Sequence, residues 1–217
     1  SLAHLAFFRL ASVGVSQETT LAALRVFVDT CLALTEGQYM DMYFEDSDRV
    51  SVNDYFRMIR GKTGALLAAS TEIGALIAGA RADVISGYRR YGEALGRAFQ
   101  LRDDLLGIWG DEAVTGKSTA SDILSRKKTL PVLYALSREE IGPKLNSLYR
   151  ADDFGPDSVP LALGLLDAAG AREFTEAAIH AAGAEASLAL DELAPYSSRD
   201  YLSTLRELLA VLAERNA

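Results

Sequence analysis

The chain has 217 residues, of which 49% are hydrophobic and 24% charged, with a formal net charge of −8 at pH 7. That length supports one sizeable core, burying roughly 70% of the unfolded surface, and the composition is that of a compact globular protein. The acidic balance excludes a generic nucleic-acid surface, which needs clustered Lys and Arg, and the single cysteine excludes an internal disulfide and a thiolate zinc site.

Ala, Leu, Arg and Glu dominate and β-branched alternation is scarce, so nearly every segment reads as helix. Helices are expected over roughly 2–14, 17–45, 51–79, 81–109, 120–137, 139–150, 158–169, 171–194 and 199–214, as one all-helical domain across residues 1–217. The first begins Ser1-Leu2-Ala3-His4-Leu5, without an initiator Met and as if inside an apolar helix, so upstream sequence is expected. In the second, Cys31 lies beside Leu32, Ala33 and Leu34 and is expected to be a small buried apolar residue. Ser51 reads as the N-cap of the third, with Asp54 completing a capping box and Val50 and Tyr55 forming a hydrophobic staple. Gly110 to Lys117 and Asp152 to Pro160 read as loops, and Ser198 and Asp200 as the entry to the last helix. His4 and His180 are far apart, which leaves a His-based metal site or a Ser-His triad without support. No apolar run reaches the about 18 uncharged residues that would span a bilayer, and no signal peptide is visible. The expected location is the cytoplasm, without stable membrane insertion.

Within the 81–109 helix, Gln100, Asp103, Asp104 and Gly107 fall on one narrow stripe by their i, i+3, i+4, i+7 spacing. Leu95, Ala98, Phe99, Leu101, Leu105, Leu106 and Ile108 fill most of the remaining surface, as in a buried helix. Two ionised carboxylates in such a place repel each other and need a cation or donors opposite them. One reading is a Mg²⁺ site that meets a phosphate; the other is a solvated helix end. Gln38 and Asp41 share a helix face and are either cavity groups or a solvated edge. Lys62 and Thr63 sit mid-helix between Gly61 and Gly64, which cost helix stability but admit another group close to the backbone. Lys62 could equally be a surface lysine snorkelling to water, and Lys127 and Lys128 read as a solvated basic run, with added positive field at a cavity mouth as the other reading.

In order and register, these pieces resemble the trans-isoprenyl diphosphate synthases, the polyprenyl synthetase family. Gly37-Gln38-Tyr39-Met40-Asp41 is similar to the family's Gly-Gln-x-x-Asp helix, and Lys62-Thr63-Gly64-Ala65-Leu66 to its Lys-Thr segment. Phe99 to Gly107 with Gly110-Asp111 resembles the second aspartate-rich motif. Thr115-Gly116-Lys117 and the stretch Ser121-Asp122-Ile123 to Pro131 resemble the family's segment C-terminal to that motif. The resemblance implies an isoprenoid-synthase-like all-α bundle around a central cavity, apparently N-terminally incomplete. It implies Mg²⁺ held by Asp103, with Asp104 supporting it directly or through water, and diphosphate contacts from Lys62 and Lys117. Thr63, Gln100, Gln38 and Asp41 then line the reaction centre. The implied activity joins an allylic diphosphate to isopentenyl diphosphate head to tail, in a homodimer. A terpene cyclase or a catalytically silent partner subunit are the alternatives.

Two features depart from the family pattern. Gly107 stands where the motif's last carboxylate is usual, and Asp111 could partly replace it. No Asp-Asp pair precedes residue 103, so the first aspartate-rich motif is absent from the sequence, as are the basic elements that hold the second substrate.

Overall fold

The computed structural model describes residues 14–47, 49–110 and 120–213, and among them every regular element is helical. Helix α1 (Gln17–Asp46) starts at Ser16, whose hydroxyl accepts from Thr19 N at 3.1 Å. Helix α2 (Val52–Ile59) begins with the expected capping box: Ser51 Oγ accepts from Asp54 N at 3.1 Å, and Asp54 Oδ2 from Ser51 N at 3.0 Å. Val50 and Tyr55 join one apolar cluster, consistent with the staple.

The expected helix over 51–79 is interrupted. After Ile59 the chain widens into a π segment, Arg60–Gly64, before α3 (Ala65–Ile77) resumes. Lys62 and Thr63 lie in that widened turn, and such turns are frequent at functional sites. Helix α4 (Ala82–Trp109) is the spine, packed against α3 on one side and α9 (Ala171–Leu193) on the other. Val84, Tyr91, Leu95, Ala98, Leu101, Leu105 and Ile108 of α4 are buried, each large apolar side chain contributing about 1.5–3 kcal/mol. Helix α10 (Arg199–Ala213) lies against α9 and α4. Four short helices gather near the end of α4: α5 (Ser121–Leu124), α6 (Leu130–Leu136), α7 (Gly142–Tyr149) and α8 (Val159–Ala168).

Several expectations need correction. The helix over 120–137 breaks at residues 125–129, because Arg126 takes a left-handed φ of +54° and Thr129 is extended. Pro131, in the first turn of α6, is the local reason the second piece starts where it does. Helix α7 starts at Gly142, not 139, again with proline in its first turn. Ser198 accepts from Tyr201 N at 3.3 Å, whereas Asp200 lies inside α10. Cys31 is exposed, together with Leu21, Val28 and Leu32, because no described element covers that side of α1. Apart from Gly14, the helix expected over 2–14 lies outside the described residues, as do residues 111–117 of the first loop.

Helix α1 crosses the π segment backbone to backbone. A Cβ on Gly37 would stand 2.3 Å from Lys62 N, and one on Gly61 would stand 2.7 Å from Ala33 O. Main-chain atoms cannot swing aside as a side chain can, so the crossing admits only glycine without rearrangement. Gly37→Ala is expected to lower stability by about 1–3 kcal/mol through overpacking, read as a lower denaturant midpoint with an unchanged slope.

Candidate active site

The crossing at Gly37 sets Asp41, one turn along α1, against the π segment. Lys62 Nζ donates to Asp41 Oδ2 in an ion pair between side chains that are only 30% and 17% exposed. Lys62 is therefore not a snorkelling lysine, and Asp41 is not on a solvated edge. Gln38 remains exposed and takes no part in this pairing.

The next residue in the π segment, Thr63, donates its hydroxyl to Gln100 Oε1 at 2.7 Å. Gln100 Nε2 in turn donates to Asp104 Oδ1 at 3.1 Å, one turn along α4. Asp104 retains 1% exposure, so every one of its lone pairs needs a partner from the protein. Tyr55 OH donates to Oδ2 at 2.5 Å, and Leu130 N, at the start of α6, donates to the same oxygen at 3.4 Å. Lys127 Nζ lies 3.9 Å from Oδ1 and 3.8 Å from Asp122 Oδ2.

Burial pushes the Asp104 carboxyl up to about 6, against the opposing pull of Lys127, Tyr55 and Gln100. Burial also raises the Tyr55 phenol well above its ordinary value, with Asp104 adding to it. For Lys127, burial alone would lower the ammonium, but Asp104, Asp122, Asp41 and Asp103 outweigh it and hold the group charged to higher pH than usual. Asp103 is half-buried on the same stripe and contributes to the field on both Tyr55 and Lys127.

Asp41 and Lys62 are thus joined by one contact and Thr63, Gln100 and Asp104 by another two, with Asp103 beside them. Lys117 and Asp111 lie outside the described residues. The basic run is not solvated: Lys127 faces the carboxylates, and Lys128 Nζ donates to the carbonyls of Phe44 (2.9 Å), Glu45 (3.3 Å) and Ser47 (2.7 Å) at the end of α1. A lysine there adds a donor to carbonyls at a helix C-terminus, of which Phe44 O also accepts from Ser47 N at 3.3 Å. Sequence reasoning assigns no site role to Tyr55 or Asp122. Their residue types are ordinary for buried and surface positions, and only the approach of α2 and α5 to α4 recruits them.

A cavity of about 100 Å³ lies next to the cluster, lined by Asp41, Phe44, Glu45, Ser125, Lys127 and Lys128. A roomier hollow of about 390 Å³ is lined in part by Arg57, Arg60, Glu72 and Arg89 and includes none of the linked groups. Of the cluster, the smaller one takes in Asp41 and Lys127. Among the described residues no helix is long and apolar enough to cross a membrane.

The family model described as polyprenyl synthetase matches residues 1–165. A geranylgeranyl diphosphate synthase of Mycobacterium tuberculosis is 45% identical over 140 residues, covering 64% of this chain and 40% of that protein. The crystal structure of a polyprenyl synthetase from Streptomyces coelicolor superposes with a TM-score of 0.84 at 35% identity, covering 97% of this chain and 62% of that one. A geranylgeranyl pyrophosphate synthase from Corynebacterium glutamicum, complexed with isoprenyl diphosphate and magnesium, gives 0.84 at 31% identity, covering 94% and 58%. The chain spans less than half of the curated relative and about three-fifths of each solved structure.

The carboxyl of Asp104 titrates near 6 in the folded protein against 3.8 ordinarily, so the folded state holds its proton more tightly. This group's contribution to stability therefore falls as pH rises from about 4 to about 6, by up to about 3 kcal/mol. Asp104→Asn is expected to flatten the pH dependence of the urea midpoint across that window.

Proposed function

The chain belongs to the polyprenyl synthetase family, and on that premise we propose that it forms one wall of a Mg²⁺-dependent trans-prenyltransferase site. Its substrates on this reading are an allylic diphosphate and isopentenyl diphosphate, joined head to tail. The observation that carries the reading is the continuous hydrogen-bonded path Thr63–Gln100–Asp104, with Asp103 on the same stripe. It supports a site whose polar groups are held by α4 and the π segment.

Mg²⁺ commonly keeps several waters and takes one or two carboxylates, with phosphate oxygens completing its shell. Among the described residues no three His, Cys, Asp or Glu side chains converge into a metal cage. A shell completed by water and diphosphate needs no such cage, and Asp103 fits as its direct protein ligand. Both oxygens of Asp104 already accept hydrogen bonds from the protein, so its role in this proposal is to fix Asp103 and its surroundings. Bound there, the ion supplies charge neutralisation for a departing diphosphate.

The protein's own groups account for the rest. Lys62, held by Asp41, stands as a positive charge beside the place where diphosphate leaves, and Lys117 is proposed to contact the same group. The oxygens of Thr63 and Gln100 face developing positive charge on the allylic carbon, the complementary electrostatic task. Leu101, Leu105 and Tyr55 back the cluster with dry core, which keeps water from the reacting centre. Gln38 is proposed to line the mouth.

The proposal includes a homodimer acting in the cytoplasm. The homodimer is supported by the exposed apolar row Leu21, Val28, Leu32, Tyr39 and Tyr43 along α1, a face of the kind that a partner covers.

The 217-residue chain carries one aspartate pair of the two that clamp a diphosphate from both sides in this reading. Incubated alone with Mg²⁺, an allylic diphosphate and labelled isopentenyl diphosphate, it is expected to give little or no elongated product; robust elongation would refute the two-sided clamp. Calorimetry with inorganic diphosphate is expected to show weak Mg²⁺-dependent binding. Asp103→Asn is expected to weaken that binding at least tenfold while shifting Tm little, since Asp103 keeps part of its surface in water.

A further inference from the structure

Gly107 stands where the family motif carries its last carboxylate, yet the space beside it is full. A Cβ built on Gly107 would meet Asp122 Oδ2 at 2.4 Å and Asp122 Cγ at 2.6 Å. The carboxylate of Asp122 therefore occupies the volume that a side chain at residue 107 would take.

The same carboxylate lies 3.8 Å from Lys127, which lies 3.9 Å from Asp104. The chain between Asp122 and Lys127 is wound to make this so. Lys127 N donates to Asp122 O at 2.9 Å, closing the turn, and Arg126 N donates to Ile123 O at 2.9 Å. Two non-glycine residues flanking α5, Ala120 and Arg126, take left-handed φ angles of +59° and +54°. Residues are held in such conformations where the surroundings over-determine them, often at functional sites. Behind them the buried hydroxyl of Tyr149 has no hydrogen-bond partner among the described residues. Burial and the nearby charge of Asp122 both push its phenol up, and the Asp122 side chain is itself 14% exposed.

Resting on the prenyltransferase reading, we infer that Asp122 supplies, from the segment after α4, the carboxylate that position 107 lacks, and that it acts as a positioning residue by sharing Lys127 with Asp104. Without it, Lys127 has Asp104 as its nearest anion and neutralises the buried member of the aspartate pair. With it, Asp103, Asp104 and Asp122 outnumber the one ammonium, and the cluster keeps the negative field that draws a divalent cation to Asp103. A side chain at residue 107 would then have to push the Asp122 carboxylate aside from this position.

An exchange of the two positions tests this, with two readouts on the same protein: Tm, and Mg²⁺-dependent binding of inorganic diphosphate by calorimetry. Gly107→Asp alone is expected to lower Tm by roughly 5 °C, since it places a second carboxylate on the first. Asp122→Ala alone is expected to weaken Mg²⁺–diphosphate binding about tenfold. The double variant Gly107→Asp with Asp122→Ala is expected to regain Tm to within about 2 °C and binding to within about threefold of the parent. Losses in the double variant that equal the sum of the single losses would overturn the inference. Should Gly107→Asp not fold, Gly107→Ala serves in the Tm arm of the cycle, because its methyl group meets the same oxygen. A parent that binds no diphosphate with Mg²⁺ would count against the proposed function, while the Tm cycle alone still decides whether the two positions exchange.

Discussion

A carboxylate with 1% of its surface open to solvent is costly to keep in an apolar bundle, and the arrangement around Asp104 is the answer to that cost. Four different parts of the chain reach it: Tyr55 from α2, Gln100 from α4 itself, Leu130 N from the start of α6, and Lys127 from the turn after α5. Each offers the carboxylate what water cannot. The requirement runs in both directions. Those elements must approach α4 closely, and once they do, their own geometry is set. The position of the π segment is tied in through Thr63 and Gln100, and that of α1 through Lys62 and Asp41. Neighbouring Asp103 inherits a fixed backbone and a fixed field while keeping part of its surface open.

The proposed chemistry depends on separating two carboxylates that are adjacent in sequence. Burial leaves one inward, hydrogen-bonded and hard to ionise, and the other half-exposed on the same stripe. In the proposed site the first holds structure and the second faces the ligand. The same division recurs for the two lysines at 127 and 128. Lys127 turns toward the acids, and Lys128 closes the end of α1 by binding three carbonyls. Adjacent identical residues thus do unlike work in the irregular stretch between α5 and α6.

Much of this is legible in residue order alone. Apolar periodicity and caps locate the long helices to within a few residues, and the capping box at Ser51 and Asp54 is present as its spacing implies. The stripe Gln100, Asp103, Asp104 is visible because three polar residues at helical spacing interrupt an apolar helix. Other features leave no mark. Arg126 has no residue type that signals a left-handed backbone, so the break before α6 is hidden in a helix-like pattern. Cys31 sits in an apolar stretch yet is exposed, because an apolar neighbourhood describes a helix face and not what covers it. The contacts of Tyr55 and Asp122 with the cluster escape notice for the same reason. Periodicity places a residue on its own helix and says nothing of which other helix it will meet.

The contact between Gly37 and the backbone of Lys62 bears on how this fold tolerates change. At most helix crossings the spacing is set by side chains, so every core substitution alters the distance between the axes. Here main chain rests on main chain, and the interval between Asp41 and Lys62 is fixed by atoms common to all residues. Apolar positions elsewhere along α1 and α3 are then free to vary in volume during divergence or redesign while the ion pair keeps its length. The crossing works as a gauge block, a part of the bundle where geometry is independent of composition so long as the two glycines stay.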